Sequence, residues 1–307
     1  MDDFLKEESA RLARSWRRHP AAGLAGYLVA GVEDPRVNVQ SVLSRHFLLA
    51  ALFGRKFEGL MEQELRFAAA MNWLRRRAAD LDMPEARADL LHALRHGADN
   101  AEGVEIPPLL TQSFARLPAK VGEVSVSNYL EQFLAAGDLS GGLDTFRELW
   151  AETLEAEIPQ GVRVLEPACG SANDYRCLET YGLARLLDYT GFDLCEQNVR
   201  NARALFPAAR FEIGNVFEIA AREGAFELCF VHDLFEHLSP EALPVAVREI
   251  CRVTRRGLCV GFFQMDELRE HVIRPVDDYH WNTLSLERMK DLFAGQGFAG
   301  RALHIGS

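Results

Sequence analysis

Three apolar stretches in the second half of the chain each end in residues that suit nucleotide binding. The first ends in Glu166 and runs into small residues around Gly170, which let a ligand approach the backbone closely. The second ends in Asp193, whose carboxylate can accept hydrogen bonds from both hydroxyls of a ribose, and the third ends in Asn215, whose amide can meet an adenine edge. Singly, these are also ordinary turn residues or, for Asp193, a helix N-cap. Their occurrence together and in this order favours a nucleotide site.

Two other segments carry side chains suited to acid–base chemistry. Residues 232–237 begin with His232, and residues 264–283 are rich in polar and aromatic groups. Histidine suits a general base near neutral pH. We name His280 as the candidate base and His232 as a candidate for the same role or for lining the pocket. A solvated loop with helix-capping residues remains an alternative for 264–283.

A metal site is a weaker alternative for the first of these segments. His232, Asp233 and His237 lie close enough in sequence to converge on one helical turn. Their spacing matches no familiar ligand pattern, so we predict no metal.

The elements that must position these residues alternate between strand and helix from Val162 onward. Strand-like runs cover 162–166, 189–193, 210–214, 226–232, 258–263 and 301–305, and helical patterns cover 173–186, 196–206, 239–254 and 285–295. Ser239 suits the start of its helix, and Gly257 suits its end. Such alternation predicts a parallel sheet with right-handed crossovers. Ligands bind such sheets at the carboxyl ends of the strands, which is where the candidate nucleotide residues lie.

The first half of the chain has a different character. Residues 1–158 show helical spacing, beginning with an apolar stripe that contains Leu5, Ser9 and Leu12. Further helices are predicted over 57–74, 84–96, 126–136 and 143–157, with a polar loop at 98–110.

Composition narrows the class of protein. The chain has 307 residues, of which 48% are hydrophobic, and a net charge of −11. This balance is typical of a soluble globular protein of about two domains, and the acidic charge disfavours a nucleic acid partner. No run is long enough to span a membrane, and the N-terminus is not a secretory signal. The six cysteines form no C-x-x-C pair, which disfavours a zinc ribbon or thioredoxin-like motif. Several lie inside apolar runs as small hydrophobic residues, so we expect a reducing, cytoplasmic location.

Four segments in order resemble the successive motifs of class I S-adenosylmethionine (SAM)-dependent methyltransferases. They are VLEPACGSA, GFDLCEQN, FEIGNVFEI and FELCFVHDLFEHLSPE. The later EICRVTRRGLCVGFF and LSLERMKDLFAGQGF are similar to that family's fifth strand and following helix. The resemblance covers residues 126–307 approximately. It implies a Rossmann-like, mostly parallel α/β sheet with helices on both faces, and SAM as the cofactor.

The resemblance also implies roles for residues around the methionine part of SAM. Glu166 would orient the amino group through water. Ala168, Cys169 and Gly170 would form the loop beside the amino-acid part, and His232 would face this part and the substrate. The Glu-His pair that ends 232–237 is frequent in the family without being catalytic, so we favour a structural role for it.

On the adenosine side, the resemblance implies four contacts. Asp193 would bind the ribose, with Leu194 against the adenine, and Asn215 and Val216 would flank the adenine.

The sequence departs from the family pattern in three places. Alanines stand at 168 and 172, where the family has glycines, and alanine is tolerated there only if φ is negative. Glu166 and Asp193 are 27 residues apart, which indicates a long first crossover. The seventh, antiparallel strand of the family is expected to be absent or very short.

We therefore predict an all-α N-terminal domain over 1–125, serving as lid, acceptor pocket or dimer surface, and a methyltransferase domain over 126–307. The predicted activity is methyl transfer to an oxygen or nitrogen of a small-molecule acceptor, with a homodimer through the helical domain as one option. The alternative is a non-catalytic SAM-binding scaffold or regulatory subunit. A nicotinamide dinucleotide site is disfavoured because G-x-G-x-x-G is missing after the first strand.

Overall fold

The computed structural model describes residues 1–17, 39–53, 161–262 and 264–302, with Asp89, His92 and four two-residue strands between positions 100 and 125. The helices predicted over 57–74, 126–136 and 143–157 lie outside the described residues. Of the helix predicted over 84–96, only Asp89 and His92 are described, and both are helical.

The chain divides into two compact units. The first unit consists of Met1–Val32, Pro159–Arg176 and Ala184–Leu303, and the second of Glu33–Ile158, Cys177–Leu183 and His304–Ser307. Helix α1 (Asp3–Arg17) therefore belongs to the unit that holds the sheet, not to the rest of the N-terminal half. The separate helical domain remains a prediction, and α1 is not part of it.

In the second unit, helix α2 spans Val39–Phe53 and buries Val42, Leu48 and Leu49. Two antiparallel pairs of two-residue strands join Asn100–Ala101 to Val104–Glu105 and Lys120–Val121 to Val124–Ser125. The first pair falls within the predicted polar loop. The first half of the chain is therefore not helical throughout.

The central sheet has five described strands. They are β1 (Val162–Pro167), β2 (Leu187–Asp193), β3 (Arg210–Ile213), β4 (Phe226–His232) and β5 (Thr254–Gly261). All neighbours are parallel, in the order β3-β2-β1-β4-β5, so the strand order reverses between β1 and β4. The predicted Rossmann-like fold is confirmed. Of the sixth predicted run, residues 301–302 are irregular and 303–305 lie outside the described residues.

Four helices follow the predicted pattern. They are α3 (Asn173–Thr180), α4 (Glu196–Leu205), α5 (Leu243–Val253) and α6 (Leu286–Ala294). The prediction that Gly257 ends the helix before β5 is wrong. The hydroxyl of Thr254 donates to the carbonyl of Ile250 at 2.7 Å, the helix ends at Val253, and Gly257 lies inside β5.

Helix α1 completes the core on one face of the sheet. The connection 214–225, described throughout, contains no helix, and its apolar residues Val216, Phe217 and Ile219 share one buried cluster with Leu5 of α1. The carboxylate of Glu8 accepts a hydrogen bond from the Ser239 amide at 3.0 Å. Among the described helices, none is long and apolar enough to cross a membrane.

Candidate functional site

The carboxyl ends of β1 and β2 bring three of the predicted residues together. The loop after β1 is tied to β2 by two backbone contacts. The Cys169 amide donates to the carbonyl of Phe192 at 3.0 Å, and the Gly170 amide donates to Oδ2 of Asp193 at 3.0 Å. The loop and the end of β2 thus form one surface.

Asp193 is the centre of that surface. Besides the Gly170 amide, its carboxylate accepts hydrogen bonds from the Cys195 amide at 2.7 Å and from Nδ2 of Asn198 at 3.2 Å. Burial raises the pKa of Asp193, while these three donors favour the carboxylate form. Because a carboxylate offers about four acceptor sites, the side chain keeps capacity for a ligand hydroxyl.

The loop itself turns through left-handed backbone at three positions. The φ angles are +55° at Ala168, +54° at Gly170 and +71° at Ala172. The condition under which alanine fits this loop, a negative φ, is therefore not met at either alanine. The family pattern of glycines at these positions has a backbone reason, and the two alanines adopt a conformation that costs L-residues about 1–2 kcal/mol. A Cβ added to Gly170 would meet nothing within 4 Å, so the loop faces open space.

Glu166 lies at the end of β1 with its side chain turned into the protein. It is 3% exposed, and its Oε2 accepts a hydrogen bond from the hydroxyl of Tyr189 in β2. Burial, followed by the neighbouring Asp174 carboxylate, raises the pKa of Glu166 well above its ordinary value. The Tyr189 hydroxyl acts in the opposite direction.

His232, at the end of β4, is 8% exposed. Its Nδ1 lies 2.7 Å from Oδ2 of Asp174 in α3. Burial alone lowers the pKa of His232, but the Asp174 carboxylate outweighs it and raises the pKa well above the ordinary value. A charged imidazole is a proton donor. This environment therefore disfavours His232 as a base and favours a positioning or binding role.

On the predicted adenine side, Asn215 is already engaged by protein groups. Its Oδ1 accepts from the Phe217 amide at 2.9 Å, and its Nδ2 donates to the hydroxyl of Ser9 in α1 at 2.7 Å. Val216 is buried in the core cluster, and Leu194 is half-buried. Residues of α1 therefore form part of the surroundings of this corner.

His280 lies in the segment between β5 and α6. It pairs in a short antiparallel ladder, Pro275–Val276 with Tyr279–His280, and is 8% exposed with no hydrogen-bond partner for Nδ1 among the described residues. Burial, followed by the Arg11 guanidinium, lowers the pKa of His280. A neutral imidazole suits a base, but His280 makes no hydrogen bond to Glu166, Asp193 or His232 in the described structure.

The Glu236-His237 pair organises the loop that carries His280. The backbone carbonyl of Glu236 accepts from the Asn282 amide at 2.9 Å, and Nδ1 of His237 donates to the carbonyl of His280 at 3.1 Å. These contacts agree with the structural role favoured for the pair. No group of three potential metal ligands occurs among the described residues.

Sequence reasoning missed three residues of this region, namely Tyr189, Asp174 and Ser9. Tyr189 is the first residue of the predicted run 189–193, and Asp174 lies in the first turn of the predicted helix 173–186. Ser9 offered the clearest signal, because it is a polar residue within the apolar stripe of α1 and is 6% exposed.

Comparison with known proteins agrees with this geometry. Residues 165–260 match a family model described as a methyltransferase domain. No curated protein matches the chain significantly.

Many solved structures match part of the chain. The YcgJ protein from Bacillus subtilis is 19% identical, with a TM-score of 0.36, and the match covers 49% of this chain and 66% of that one. The PH0226 protein from Pyrococcus horikoshii is 18% identical over 50% of this chain and 81% of that one, with a TM-score of 0.36. A Burkholderia thailandensis 1,6-didemethyltoxoflavin-N1-methyltransferase, bound to its substrate and S-adenosylhomocysteine, is 16% identical over 56% and 76%, with a TM-score of 0.34.

The family match and the sheet order agree. Residues 165–260 match a methyltransferase domain model and lie in a sheet of Rossmann-like order, and S-adenosylmethionine is the cofactor of such domains. The hydrogen-bonding groups at the carboxyl edge of the sheet fit that cofactor. Glu166 and Asp193 offer acceptors for an ammonium and for ribose hydroxyls, and the loop at Gly170 opens to free space.

Proposed function

We propose that this protein transfers the methyl group of SAM to an oxygen or nitrogen of a small-molecule acceptor. The observation that carries the proposal is the contact between the Gly170 amide and Asp193, made beside Glu166 at the carboxyl end of β1, one of the two strands between which the strand order reverses. This is where doubly wound sheets bind their ligands.

SAM supplies an electrophilic methyl group, and the chain supplies binding and orientation. In this proposal Glu166 attracts the methionine ammonium, and the backbone of Ala168, Cys169 and Gly170 lies along the amino-acid part. Asp193 accepts from the ribose hydroxyls. Leu194, Asn215 and Val216 border the adenine. Because methyl transfer is an in-line displacement, holding the acceptor in line is the main task of the protein.

Proton removal from the acceptor is assigned to His280. Its lowered pKa keeps the imidazole neutral at physiological pH, the form that accepts a proton. His232 is the less suitable base because Asp174 favours its charged form.

A small-molecule acceptor is favoured over nucleic acid by charge. The chain carries a net charge of −11, whereas binding along a phosphate backbone requires clustered Lys and Arg. Residues of the N-terminal half outside α1 are proposed to supply the acceptor pocket, a dimer surface, or both.

Turnover tests the proposal. The purified full chain is incubated with SAM and panels of hydroxyl- and amine-bearing small molecules, a peptide mixture and total RNA, and release of S-adenosylhomocysteine is measured. Release that depends on a small molecule supports the proposal. Release that depends only on peptide or RNA contradicts the acceptor class. Binding of SAM without release in any panel favours the non-catalytic scaffold.

A further inference from the structure

Three buried side chains from three strands, and one partly buried side chain from a helix, interact at the carboxyl edge of the sheet. Tyr189 of β2 donates to Glu166 of β1, and Asp174 of α3 lies 2.7 Å from the ring of His232 in β4. Glu166, Tyr189 and His232 are 3%, 5% and 8% exposed, respectively. Asp174 also faces Glu166, since its charge acts on that carboxyl group. The set links the two strands on either side of the switch in strand order.

Two strand glycines provide the space that this arrangement needs. A Cβ on Gly191 would lie 2.8 Å from the hydroxyl oxygen of Tyr189, and a Cβ on Gly261 would lie 2.6 Å from Cδ2 of His232. Real Cβ atoms essentially never approach so closely. Any larger residue at 191 would therefore crowd the Tyr189 hydroxyl, together with Cδ1 of Phe211 at 2.9 Å and Sγ of Cys169 at 3.0 Å.

The groups around Glu166 act on its ionisation in opposite directions. Glu166 is faced by Asp174 from α3, His232 from β4, Tyr189 from β2 and the thiol of Cys169 in the loop. Burial and Asp174 favour its neutral form, while Tyr189 and His232 favour the carboxylate. A ligand ammonium would add a positive charge and tip this balance toward the carboxylate.

We propose that Tyr189 is a positioning residue, which holds the Glu166 carboxylate in the orientation that receives the methionine ammonium of SAM. The inference rests on the proposed function, because it assigns the ligand of Glu166. Tyr189 itself does not touch the cofactor in this account. Its effect is confined to the amino-acid half of the ligand.

The test compares two ligands on the full chain by calorimetric titration. S-adenosylhomocysteine carries the ammonium, whereas 5′-methylthioadenosine has the same nucleoside without the amino-acid part. Tyr189→Phe is expected to weaken S-adenosylhomocysteine about tenfold and leave 5′-methylthioadenosine unchanged, as for loss of one hydrogen bond to a charged group. Tyr175→Phe is the matched control, because it removes the hydroxyl from a ring 4.7 Å from that of Tyr189 and leaves the Tyr189 hydroxyl and its contact with Glu166 in place.

A pH series and a double variant separate positioning from general damage. Without the Tyr189 hydroxyl the pKa of Glu166 rises further, so the loss of S-adenosylhomocysteine affinity on acidification begins at higher pH in Tyr189→Phe. In a Glu166→Gln background, Tyr189→Phe should have no additional effect on either ligand. Should Tyr189→Phe not fold, Gly191→Ala crowds the same hydroxyl, and its effect is compared with and without Glu166→Gln. A loss of S-adenosylhomocysteine affinity that disappears in the Glu166→Gln background comes from the Tyr189 contact, whereas one that persists comes from crowding of Phe211 and Cys169 and contradicts the inference.

Three results would overturn the inference while leaving the proposed function intact. These are unchanged S-adenosylhomocysteine affinity in Tyr189→Phe, equal loss of both ligands, and an equal loss in the Glu166→Gln background. Failure of the unmodified protein to bind S-adenosylhomocysteine would instead contradict the proposed function, and this inference with it.

Discussion

Nδ1 of His232 lies 2.7 Å from the carboxylate of Asp174, 58 positions earlier in the chain. The contact joins the end of β4 to the first turn of α3, on opposite sides of the switch in strand order. Both side chains are largely buried, so this pair holds one side of the candidate site in place and keeps a charged pair there.

Asp174→Asn should destabilise the protein in a pH-dependent manner. The pKa of His232 is raised above 6.5 in the folded state, so the pair stabilises fully below pH 6.5 and the contribution is lost as pH rises through the raised value. The pKa of Glu166 is also raised, so its contribution to stability is likewise lost as pH rises. Removing one partner of a buried pair costs about 3 kcal/mol.

Urea unfolding of the two proteins below pH 6.5 and at alkaline pH measures this difference. The exposed Asp188, changed to Asn, is the control. A destabilisation by Asp174→Asn that is the same at both pH values would show that the charge of His232 is not involved.

Ala168→Gly should stabilise the protein by about 0.5–1 kcal/mol, because glycine adopts the observed φ of +55° without the Cβ penalty. Ala172→Gly should be close to neutral. Its φ of +71° is relieved in the same way, but its methyl group is fully buried and its loss costs about 0.8 kcal/mol.

Thermal unfolding of each variant gives the sign. Ala204→Gly, at an exposed position in α4, is the comparison and should destabilise by up to about 1 kcal/mol. If Ala168→Gly loses stability as the helical variant does, residue 168 does not adopt left-handed backbone in the folded protein.

Helix α1 should be required for the stability of the methyltransferase unit. Leu5 is 6% exposed within the core cluster, so Leu5→Ala should cost about 2–4 kcal/mol. Phe4, the adjacent residue, is 45% exposed, and Phe4→Ala should stay within about 0.5 kcal/mol. Equal effects of the two changes on the free energy of unfolding, measured by chemical denaturation, would show that Leu5 of α1 is not part of this core.

Asp193→Ala should weaken S-adenosylhomocysteine by roughly 1.5–3 kcal/mol, the range for hydrogen bonds to a charged group. Asp188→Ala, at the exposed amino end of the same strand, should bind normally. Because Asp193 also anchors the Gly170 and Cys195 amides, the melting temperature of each variant is measured alongside its affinity. Unchanged affinity would exclude the ribose assignment.

His280→Gln should lower turnover while leaving S-adenosylhomocysteine affinity nearly unchanged. Since the pKa of His280 is lowered, the acid limb of the rate profile in the unmodified protein should lie below pH 6.5 and disappear in the variant. The exposed His92, changed to Gln, is the control. An unaffected rate and profile would remove His280 as the base.

The order of elements in the sheet could be predicted because it depends on periodicity and on the residues that end each strand. All five described strands overlap their predicted runs, and Glu166 and Asp193 lie where strands end. The end of α5 could not be predicted from Gly257, because strand pairing at Thr254 outweighed the local preference of glycine for a helix end.

The surroundings of the site depend on contacts between residues distant in sequence, and these were not predictable. Nothing local to Asn215 indicates that its amide is bonded to Ser9, 206 positions away. The positive φ at Ala168 and Ala172 was likewise hidden, since alanine gives no sign of left-handed backbone. Asp174 looked like an ordinary residue of a helix first turn until its partner in β4 was placed.

Calorimetric titration of the purified full chain with S-adenosylhomocysteine, with NAD as the control ligand, tests whether the carboxyl edge of this sheet binds SAM. One-to-one binding of S-adenosylhomocysteine in the micromolar range and no binding of NAD are expected. Binding of NAD, or of neither ligand, would show that this edge is not a SAM site.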